Sequence, residues 1–588
     1  MTRVEGLRRF LREKGLAAFI FPSTDPHCGE YIPAHWQARQ WISGFDGSAG
    51  TAVVTADDAA LWTDSRYFIA AEQQLQGTAF RLMKDGMQGT PTIAQWLCST
   101  LPKGSRVGMD GWVNTIDSVR ILERELDASG IGIDLSLDPC SQLWPERPTV
   151  PDNPVVLHPI EFSGEESSHK LQRLRHVLSA LCADGTVVSQ LDEVAWLMNL
   201  RGSDVHCNPV FVSYLLVTMQ RAILFVNPAK LGDDVREYLA GQGVETMPYA
   251  DLPHALQEYR EGSVLLDPSG TNSNILSYLP KTCRIVEHPS VVSPMKAVKN
   301  ETEIRGFRQA MLRDGVAMVK FLRWLVPAVQ AGGETEMSID RKLYSLRVSQ
   351  PLFRDISFDT IAGYAAHGAI VHYEATPSTD ASLMPRGFLL LDSGAQYQDG
   401  TTDITRTIAL GPLTDRERTD YTLVLRGHIR LAMARFPEGA CGTQLDVLAR
   451  YAIWQHGINY LHGTGHGVGS YLNVHEGPHQ IRMNYKPAPL RAGMTVTDEP
   501  GIYRAGEHGV RIENTLLIEE HATTEFGNFL RFDSLTLCPI DTTPIIVEMM
   551  QRDEIEYLND YHQRVLTELS PLLDKEERLW LEEACKPI

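Results

Sequence analysis

Two aspartates in the second half of the chain occupy positions suited to binding metal ions. Asp392 ends an apolar run, and Asp403 follows an Asp-Gly pair that predicts a hairpin turn at residues 399 and 400. With that turn, Asp403 would face Gln396, which shares parity with Asp392, so both aspartates are expected on one face of the ribbon. The distance between them depends on the strand register, which the pattern leaves open.

Histidines alternate with glycines further along the chain. His462 and His466 stand in the segment HGTGHGVG, whose four glycines let the backbone approach a ligand closely. A phosphate-binding loop needs a strand before it, a helix after it and a typical Lys or Ser/Thr end, and residues 468–471 do not supply this pattern. The imidazoles are therefore predicted to be ligands or catalysts.

Two glutamates complete a possible metal site. Glu499 precedes a Pro-Gly stop after a predicted strand, and Glu513 lies in a predicted strand at 510–518. Four carboxylates gathered beside His466 would repel one another or take up protons unless cations were present. Two divalent ions remove that cost, and oxygen ligands with one imidazole suit manganese, cobalt or iron. Such a pair can deprotonate a shared water, which is hydrolase chemistry.

A second histidine motif is a false lead. His475, Glu476 and His479 match the zinc-protease signature HExxH, which works only on a helix where both histidines share a face. The intervening Gly477 and Pro478 disfavour a helix, so the zinc-protease interpretation is rejected and His475 is kept as a lone catalytic candidate. We interpret His479, like the separate His367, as a surface histidine.

The N-terminal half contains an internal repeat. The segment WISGFDGS beginning at Trp41 aligns with WLMNLRGS beginning at Trp196, and each precedes two apolar runs typical of strands. These runs lie at 51–55, 59–63, 211–217 and 222–226. An offset of domain size predicts two copies of one α/β module. Proline-rich linkers are predicted near 144–154 and 289–299, and a long helix from Asn300 to about Val326.

Composition excludes several classes of protein. The chain has 588 residues, of which 43% are hydrophobic and 22% charged, so disorder and low complexity are excluded. A net charge of −20 disfavours nucleic-acid binding. No apolar run reaches the roughly 18–20 residues that span a bilayer. Nine scattered cysteines without a CxxC pair, and a start unlike a signal peptide, favour a cytoplasmic protein with reduced thiols.

These motifs carry a resemblance to a known family. Asp392, Asp403, His466, Glu499 and Glu513 match in order the five metal ligands of the creatinase/methionine-aminopeptidase ("pita-bread") superfamily. The segments LLLDSGAQYQDGTTDITRT, YLHGTGHGVGSYLNVHEGP, TDEPGIY and RIENT resemble the X-prolyl aminopeptidase (aminopeptidase P) family. The segments WISGFDGSAGTAVVT and LDEVAWLMNLRGSDV resemble its long, three-domain cytosolic form, so the resemblance covers nearly the whole chain.

The resemblance implies a mixed α/β (α+β) architecture in three domains. Creatinase-like domains are expected at 1–150 and 151–297, followed by a pita-bread catalytic domain at 298–588. The implied activity is removal of the N-terminal residue from peptides whose second residue is proline. Two divalent metal ions, taken to be Mn²⁺, and a homodimer are implied as well, whereas no nucleic-acid or membrane partner is expected.

The resemblance also assigns roles to individual residues. Asp392 would bind one metal ion, His466 and Glu499 the other, and Asp403 and Glu513 would bridge them. Glu499 would take the proton of the metal-bound water. The remaining implied residues act on the peptide: His372, His462 and His475 as catalytic or substrate-side histidines, His466 beside the substrate, and Arg66 as a peptide contact from the first domain. We hypothesise that Arg511 orients the acids.

Two alternatives remain open. A prolidase, which cuts only Xaa-Pro dipeptides, has the same five ligands, although the duplicated N-terminal modules favour the aminopeptidase. A catalytically silent pita-bread binding module would have lost ligands, and the metal-free creatinase lacks them, whereas all five are present here. The segment 359–367, just before His372, departs from the family pattern and leaves the pocket for the leading residue open.

Overall fold

The computed structural model describes residues 2–588 and divides into two compact units. One unit extends to Ile160 and includes Glu165–Val292, and the other comprises Glu161–Gly164 with Ser293–Ile588. Among the described residues, no helix is both long enough and apolar enough to cross a membrane.

The first half of the first unit is built on a six-stranded sheet with the strand order β4-β3-β2-β1-β5-β6. The strands are β1 (Ala18–Phe21), β2 (Thr51–Thr55), β3 (Ala59–Thr63), β4 (Arg81–Lys84), β5 (Arg106–Met109) and β6 (Gly132–Asp134). The helices are α1 (Arg3–Lys14), α2 (Ala38–Ser43), α3 (Phe68–Gln74), α4 (Ile93–Thr100), α5 (Ile116–Asp127) and α6 (Cys140–Leu143).

The second half has its own six-stranded sheet, with the order β12-β11-β10-β8-β13-β14. Its strands are β8 (Gly185–Val188), β10 (Ser213–Thr218), β11 (Ala222–Val226), β12 (Glu245–Met247), β13 (Ser263–Leu266) and β14 (Arg284–Glu287). The short strands β7 (Val156–Leu157) and β9 (Leu200–Arg201) pair with each other outside this sheet. The helices are α8 (Ser167–Ala180), α9 (Leu191–Met198), α10 (Asp233–Gly241), α11 (Leu252–Gln257) and α12 (Ser273–Tyr278). The short helix α7 (Ile160–Ser163) falls largely in the segment that belongs to the other unit.

The two sheets are copies of one topology, which confirms the predicted duplication. In each, a central strand (β1 or β8) pairs antiparallel with the next long strand and parallel with a later one. Trp41 and Trp196 lie in the equivalent helices α2 and α9. Alternate residues of β1 enter different cores, Phe19 on one face and Ile20 on the other. Burial of both faces explains why these strands read as continuous apolar runs.

The second unit begins with helices and ends with a helical pair, around several small sheets. Its helices are α13 (Ser293–Ala297), α14 (Glu301–Ala331), α15 (Glu336–Val348), α16 (Asp415–Ala432), α17 (Gly442–Trp454), α18 (Arg552–Leu569) and α19 (Lys575–Ala584). Its strands are β15 (Phe353–Ile356), β16 (Ile361–Tyr364), β17 (Phe388–Ser393), β18 (Ala395–Tyr397), β19 (Gly400–Thr401), β20 (Ile404–Ala409), β21 (Arg435–Pro437), β22 (Gly465–Gly467), β23 (Glu476–Ile481), β24 (Thr495–Asp498), β25 (Gly501–Arg504), β26 (His508–Arg511), β27 (Asn514–Thr524) and β28 (Gly527–Ser534).

A buried loop joins the two modules of the first unit. The carbonyl oxygen of Pro26 accepts hydrogen bonds from the Tyr214 hydroxyl (3.0 Å) and the Asn272 side chain (2.7 Å). The preceding Asp25 is fully buried, and its Oδ1 accepts the N–H of His27 (2.9 Å). Its Oδ2 has no hydrogen-bond partner among the described residues. Burial therefore raises the pKa of Asp25 to about 6.

This raised pKa predicts a pH-dependent contribution to stability. An acid whose pKa is higher in the folded state stabilises the fold fully below its unfolded pKa, and this contribution is lost as pH rises through about 6. A pKa that is higher by roughly two corresponds to about 3 kcal/mol in the free energy of unfolding. Asp25→Asn removes this titration, so we expect the unfolding temperature of the variant, relative to wild type, to increase between pH 4 and pH 7.

The exposed Asp57 provides the control. Asp57→Asn should leave the difference from wild type constant over the same pH range. An Asp25→Asn curve parallel to that of wild type would show that the buried carboxyl makes no such contribution.

Candidate metal centre and active site

The two aspartates are delivered by one antiparallel ribbon. Strand β17 pairs Asp392 with Thr405 on β20, and strand β18 pairs Gln396 with Thr401 on β19. The predicted pairing of residues 396 and 403 is therefore wrong, and the turn lies one residue earlier. Moving the turn by one residue shifts the partner of Gln396 by two, from 403 to 401. Because this shift is even, Asp392 and Asp403 keep the same parity and the same face.

The two glutamates lie opposite each other at a gap in a second ribbon. Strand β24 pairs Asp498 with Asn514, and in the same register β25 pairs Gly501 with Arg511. This register places Glu499 opposite Glu513, where neither belongs to a strand. The single strand predicted at 510–518 is thus wrong, because Pro500 has no N–H to continue the ladder. The N–H of Glu513 bonds instead to the carbonyl of Thr405 (3.1 Å).

The glycine-rich segment places His466 against strand β24, which ends directly before Glu499. His466 lies on β22, and its N–H donates to the Thr497 hydroxyl (3.1 Å). A Cβ atom on Gly465 would lie 1.9 Å from the Thr497 carbonyl oxygen, and one on Gly467 would lie 2.6 Å from the Glu476 carbonyl oxygen. Side chains at either position would push this backbone away, which explains the alternation of glycine with histidine.

Five side chains from these segments converge. His466 Nε2 lies 3.5 Å from both Asp403 Oδ2 and Glu499 Oε1. One ligand atom each from Asp403, His466 and Glu513 lie within 4.8 Å of one another. Asp392 is close enough to Asp403 that its charge raises the pKa of Asp403. The structure therefore brings together all five residues that the sequence predicted as metal ligands.

The electrostatics of this cluster fit bound cations. Burial and the charges of neighbouring carboxylates raise the pKa values of Asp403 and Glu513 well above normal. Burial also raises the pKa of Glu499 to about 7, against the opposing effect of Arg511. Asp392 Oδ1 is buried and has no hydrogen-bond partner within residues 2–588. Several acids with an orphaned oxygen and one imidazole are a donor set suited to divalent metal ions.

Arg511 connects the cluster to a histidine. Its Nη2 and Nε donate to Asp392 Oδ2 (2.7 and 3.2 Å), and its Nη1 donates to the Tyr503 hydroxyl (2.7 Å). The Tyr503 hydroxyl also contacts His462 Nε2 at 2.8 Å. The hydrogen bonds from Arg511 to Asp392 are the geometry that the hypothesis for Arg511 requires. Sequence reasoning missed Tyr503, although it stands in the TDEPGIY segment and offered an aromatic hydroxyl four residues after Glu499.

The other predicted histidines are also near the cluster. The ring of His475 packs edge-on against His466, with centroids 4.3 Å apart. His372 follows Val371, whose carbonyl oxygen accepts a hydrogen bond from Arg511 (3.2 Å). The HExxH segment is not a helix, as expected, because its residues from Glu476 to His479 lie in strand β23.

Three further side chains singled out in the sequence are not part of this cluster. The surface interpretation of His479 is wrong, because its ring is fully buried and contacts the Thr495 carbonyl oxygen through Nε2 (2.7 Å). That of His367 is wrong in part, because its Nδ1 contacts the buried Glu336 (2.9 Å). Arg66 lies in the first unit, where its guanidinium pairs with Asp64 (2.8 Å) and Glu30 (3.2 Å).

Comparison with known proteins agrees with this geometry. Residues 3–141 and 146–303 each match the creatinase/prolidase N-terminal domain. Residues 305–520 match metallopeptidase family M24, and residues 528–588 its C-terminal region. Xaa-Pro aminopeptidase 1 of Dictyostelium discoideum is 40% identical, with 100% of this chain and 96% of the relative covered. Aminopeptidase P1 of Arabidopsis thaliana is 37% identical, with 97% of each chain covered.

A solved structure extends the similarity to the whole fold. It is an X-prolyl aminopeptidase from Caenorhabditis elegans, described as a cytosolic enzyme with a di-nuclear active site. It is 37% identical, and the match covers 100% of both chains with a TM-score of 0.95.

Fold and site together define a metal-dependent hydrolase in which two creatinase-type modules precede a pita-bread catalytic domain. The expected fold class is confirmed. Full-length identities of 37–40% place the chain more narrowly: it belongs to the Xaa-Pro aminopeptidase (aminopeptidase P) family.

The donor set predicts two divalent ions per chain. Metal analysis of protein dialysed against Mn²⁺ should find two, and Mn²⁺ should raise the unfolding temperature, since a ligand at about 1,000 times its Kd stabilises by roughly 4 kcal/mol. Asp403→Asn should lower the stoichiometry and shrink this thermal shift. The matched control is Asp420→Asn, which removes a buried carboxylate that pairs with Arg504 and His508. An unchanged stoichiometry in Asp403→Asn would refute the assignment.

Proposed function

We propose that this protein removes the N-terminal residue from peptides that have proline at the second position. The observation that carries the proposal is the convergence of Asp392, Asp403, His466, Glu499 and Glu513 in a chain that is similar, over its full length, to Xaa-Pro aminopeptidases. The two ions held by this cluster are proposed to be Mn²⁺.

The residues divide the work by position. Bound divalent ions would activate a water molecule and polarise the scissile carbonyl. Glu499 is the general base, because its Oε1 lies 3.5 Å from His466 Nε2 within the cluster and its carboxylate can accept the proton of the attacking water. His462, held by Tyr503, and His475, packed on His466, stabilise the charge that develops on the peptide. His372, together with His466, contacts the substrate.

Arg66 is proposed as a further peptide contact. Its guanidinium is held by two carboxylates, which fixes its orientation and leaves it partly exposed, since 23% of its side chain is accessible. Because two carboxylates already balance its charge, Arg66 would act by donating a hydrogen bond to a peptide carbonyl.

The two alternatives are less well supported. A prolidase would need the same ligands, but the D. discoideum and A. thaliana relatives, which match this chain end to end, are Xaa-Pro aminopeptidases. A catalytically silent binding module would not need a complete set of buried acids, which destabilises a fold unless cations compensate it.

The range of peptides that the protein cleaves distinguishes the aminopeptidase from the prolidase and from the binding module. Manganese-loaded protein should release the first residue of an Xaa-Pro-Pro tripeptide and leave an Xaa-Ala-Pro peptide intact. Cleavage of an Xaa-Pro dipeptide alone would identify a prolidase. Cleavage of none of these peptides would favour the binding module.

The role of Glu499 gives a sharper prediction. Glu499→Gln should lower kcat by at least about 100-fold, because it removes the general base, while the Kd for the tripeptide changes little. Metal content must be measured in parallel, since Glu499 is also a proposed ligand. The matched control is Glu554→Gln, a buried glutamate that pairs with Arg426 and Arg430. Turnover at the wild-type rate in metal-loaded Glu499→Gln would exclude this base.

We place the enzyme in the cytoplasm. The similar C. elegans protein is described as cytosolic, and all nine cysteines of this chain are free thiols. Free thiols are typical of a reducing compartment.

We also propose that the protein is a homodimer and that helix α17 contributes to the interface. Val447, Tyr451 and Trp454 follow each other at helical spacing on one exposed face, and 62% of Tyr451 is accessible. Leu461 is exposed shortly after the helix. Exposed apolar side chains grouped in this way mark interaction surfaces, and a self-complementary patch suits a twofold dimer.

Light scattering tests this interface. Wild type should have the mass of two chains, and Tyr451→Asp should shift it towards one chain, because a charge at the centre of an apolar interface is costly. The control is Phe526→Asp, which introduces the same charge at another exposed aromatic residue, at the turn between β27 and β28. This change should leave the dimer intact. A wild-type mass of one chain would contradict the proposal.

A further inference from the structure

A fully buried carboxylate stands at the first turn of α15. Glu336 has no accessible surface, and its two oxygens accept four donors. These are the N–H groups of Tyr364 (2.8 Å) and Ala381 (2.9 Å), the hydroxyl of Tyr373 (2.8 Å) and Nδ1 of His367 (2.9 Å). A buried carboxylate with four donors is a strong and specific anchor, because each lost bond leaves a polar group unsatisfied.

The donors lie on both sides of His372 in the chain. Tyr364 and His367 precede it, and Tyr373 follows it directly. The rings of His367 and Tyr373 also stack, with centroids 4.4 Å apart. The segment 364–373 is therefore closed into a loop by the single carboxylate of Glu336.

The backbone of this loop also contacts residues beside the metal cluster, at Gly368 and at Val371. Arg511 donates from Nη2 to the Val371 carbonyl (3.2 Å) and to Asp392 Oδ2 (2.7 Å). The backbones of Gly368 and Gly509 are so close that a Cβ on Gly509 would lie 1.7 Å from the Gly368 carbonyl oxygen. With Arg511 on one side and Glu336 on the other, the backbone of the loop has little freedom.

The chemistry of the anchor requires an acid. An ionised carboxylate only accepts hydrogen bonds, so His367 must carry its proton on Nδ1. A glutamine at position 336 would present an N–H₂ group to one pair of donors and would repel them. The size of the side chain would hardly change, whereas the fit between donors and acceptors would be lost.

We propose that Glu336 is a positioning residue for His372: by closing the segment 364–373, it places the imidazole against the peptide. The inference rests on the proposed function, in which His372 contacts the substrate. It gives a role to the segment 359–367, which departs from the family pattern and contains the donor His367.

A double-mutant cycle tests this inference on full-length, manganese-loaded enzyme with an Xaa-Pro-Pro substrate. Glu336→Gln should lower kcat/KM by about 10-fold or more while the metal content stays at the wild-type value. In a His372→Ala background the same change should cost less than about 2-fold, because residues that act as a unit are not additive. Glu336→Asp, which keeps an acceptor-only group, should recover part of the loss.

Two further variants keep the test decisive. Tyr373→Phe removes one donor with little change in packing, and its smaller loss should also vanish in the His372→Ala background. This variant replaces Glu336→Gln if the latter does not fold. Glu554→Gln is the matched control for a buried glutamate, and any loss that it causes should multiply with that of His372→Ala.

The outcomes separate the inference from the proposed function. A wild-type enzyme that cleaves Xaa-Pro-Pro, combined with losses at Glu336 and His372 that multiply, would overturn the positioning role alone. Full activity of His372→Ala would also overturn it, because nothing would remain to be positioned. A wild-type enzyme that cleaves none of the peptides would contradict the proposed function and the inference together.

Discussion

The repulsion among four clustered carboxylates, three of them buried, is the constraint on which the catalytic unit depends. Asp403 and Glu513 are essentially inaccessible, and burial together with neighbouring charges raises their pKa values. Arg511 compensates part of this charge through Asp392, and divalent cations would compensate the rest. The fold of the unit forces these acids together. Without metal their repulsion lowers the free energy of unfolding, and with metal the same acids provide binding energy.

Two ribbons deliver the four acids in different ways. In the first, Asp392 stays paired with Thr405 in the ladder and shares a face with Asp403. In the second, Glu499 and Glu513 lie opposite each other at a gap between strands. Pro500 makes the break beside Glu499, and the N–H of Glu513 then bonds to Thr405 in the other ribbon. The histidines are attached to this frame by polar side chains: Tyr503 holds His462, and Arg511 contacts the carbonyl before His372.

Much of this arrangement could be predicted from the sequence, for identifiable reasons. Continuous apolar runs predicted β2 and β3, and an offset between two tryptophan segments predicted the duplicated sheets. Parity predicted that Asp392 and Asp403 share a face, and this survived a wrong turn because the error was even. The break at Glu513 was not predicted, because it depends on Pro500 in the partner strand. Burial of His479 and the anchor at Glu336 were missed because both depend on contacts distant in sequence.

The most direct test of this account is a titration of metal-free protein with Mn²⁺, followed by release of the first residue from an Xaa-Pro-Pro tripeptide. We expect no activity without metal and a rate that reaches its maximum at two ions per chain. A chelator-treated protein, verified as metal-free, that still cleaves the tripeptide would contradict it, because the carboxylate cluster would then have no part in the reaction.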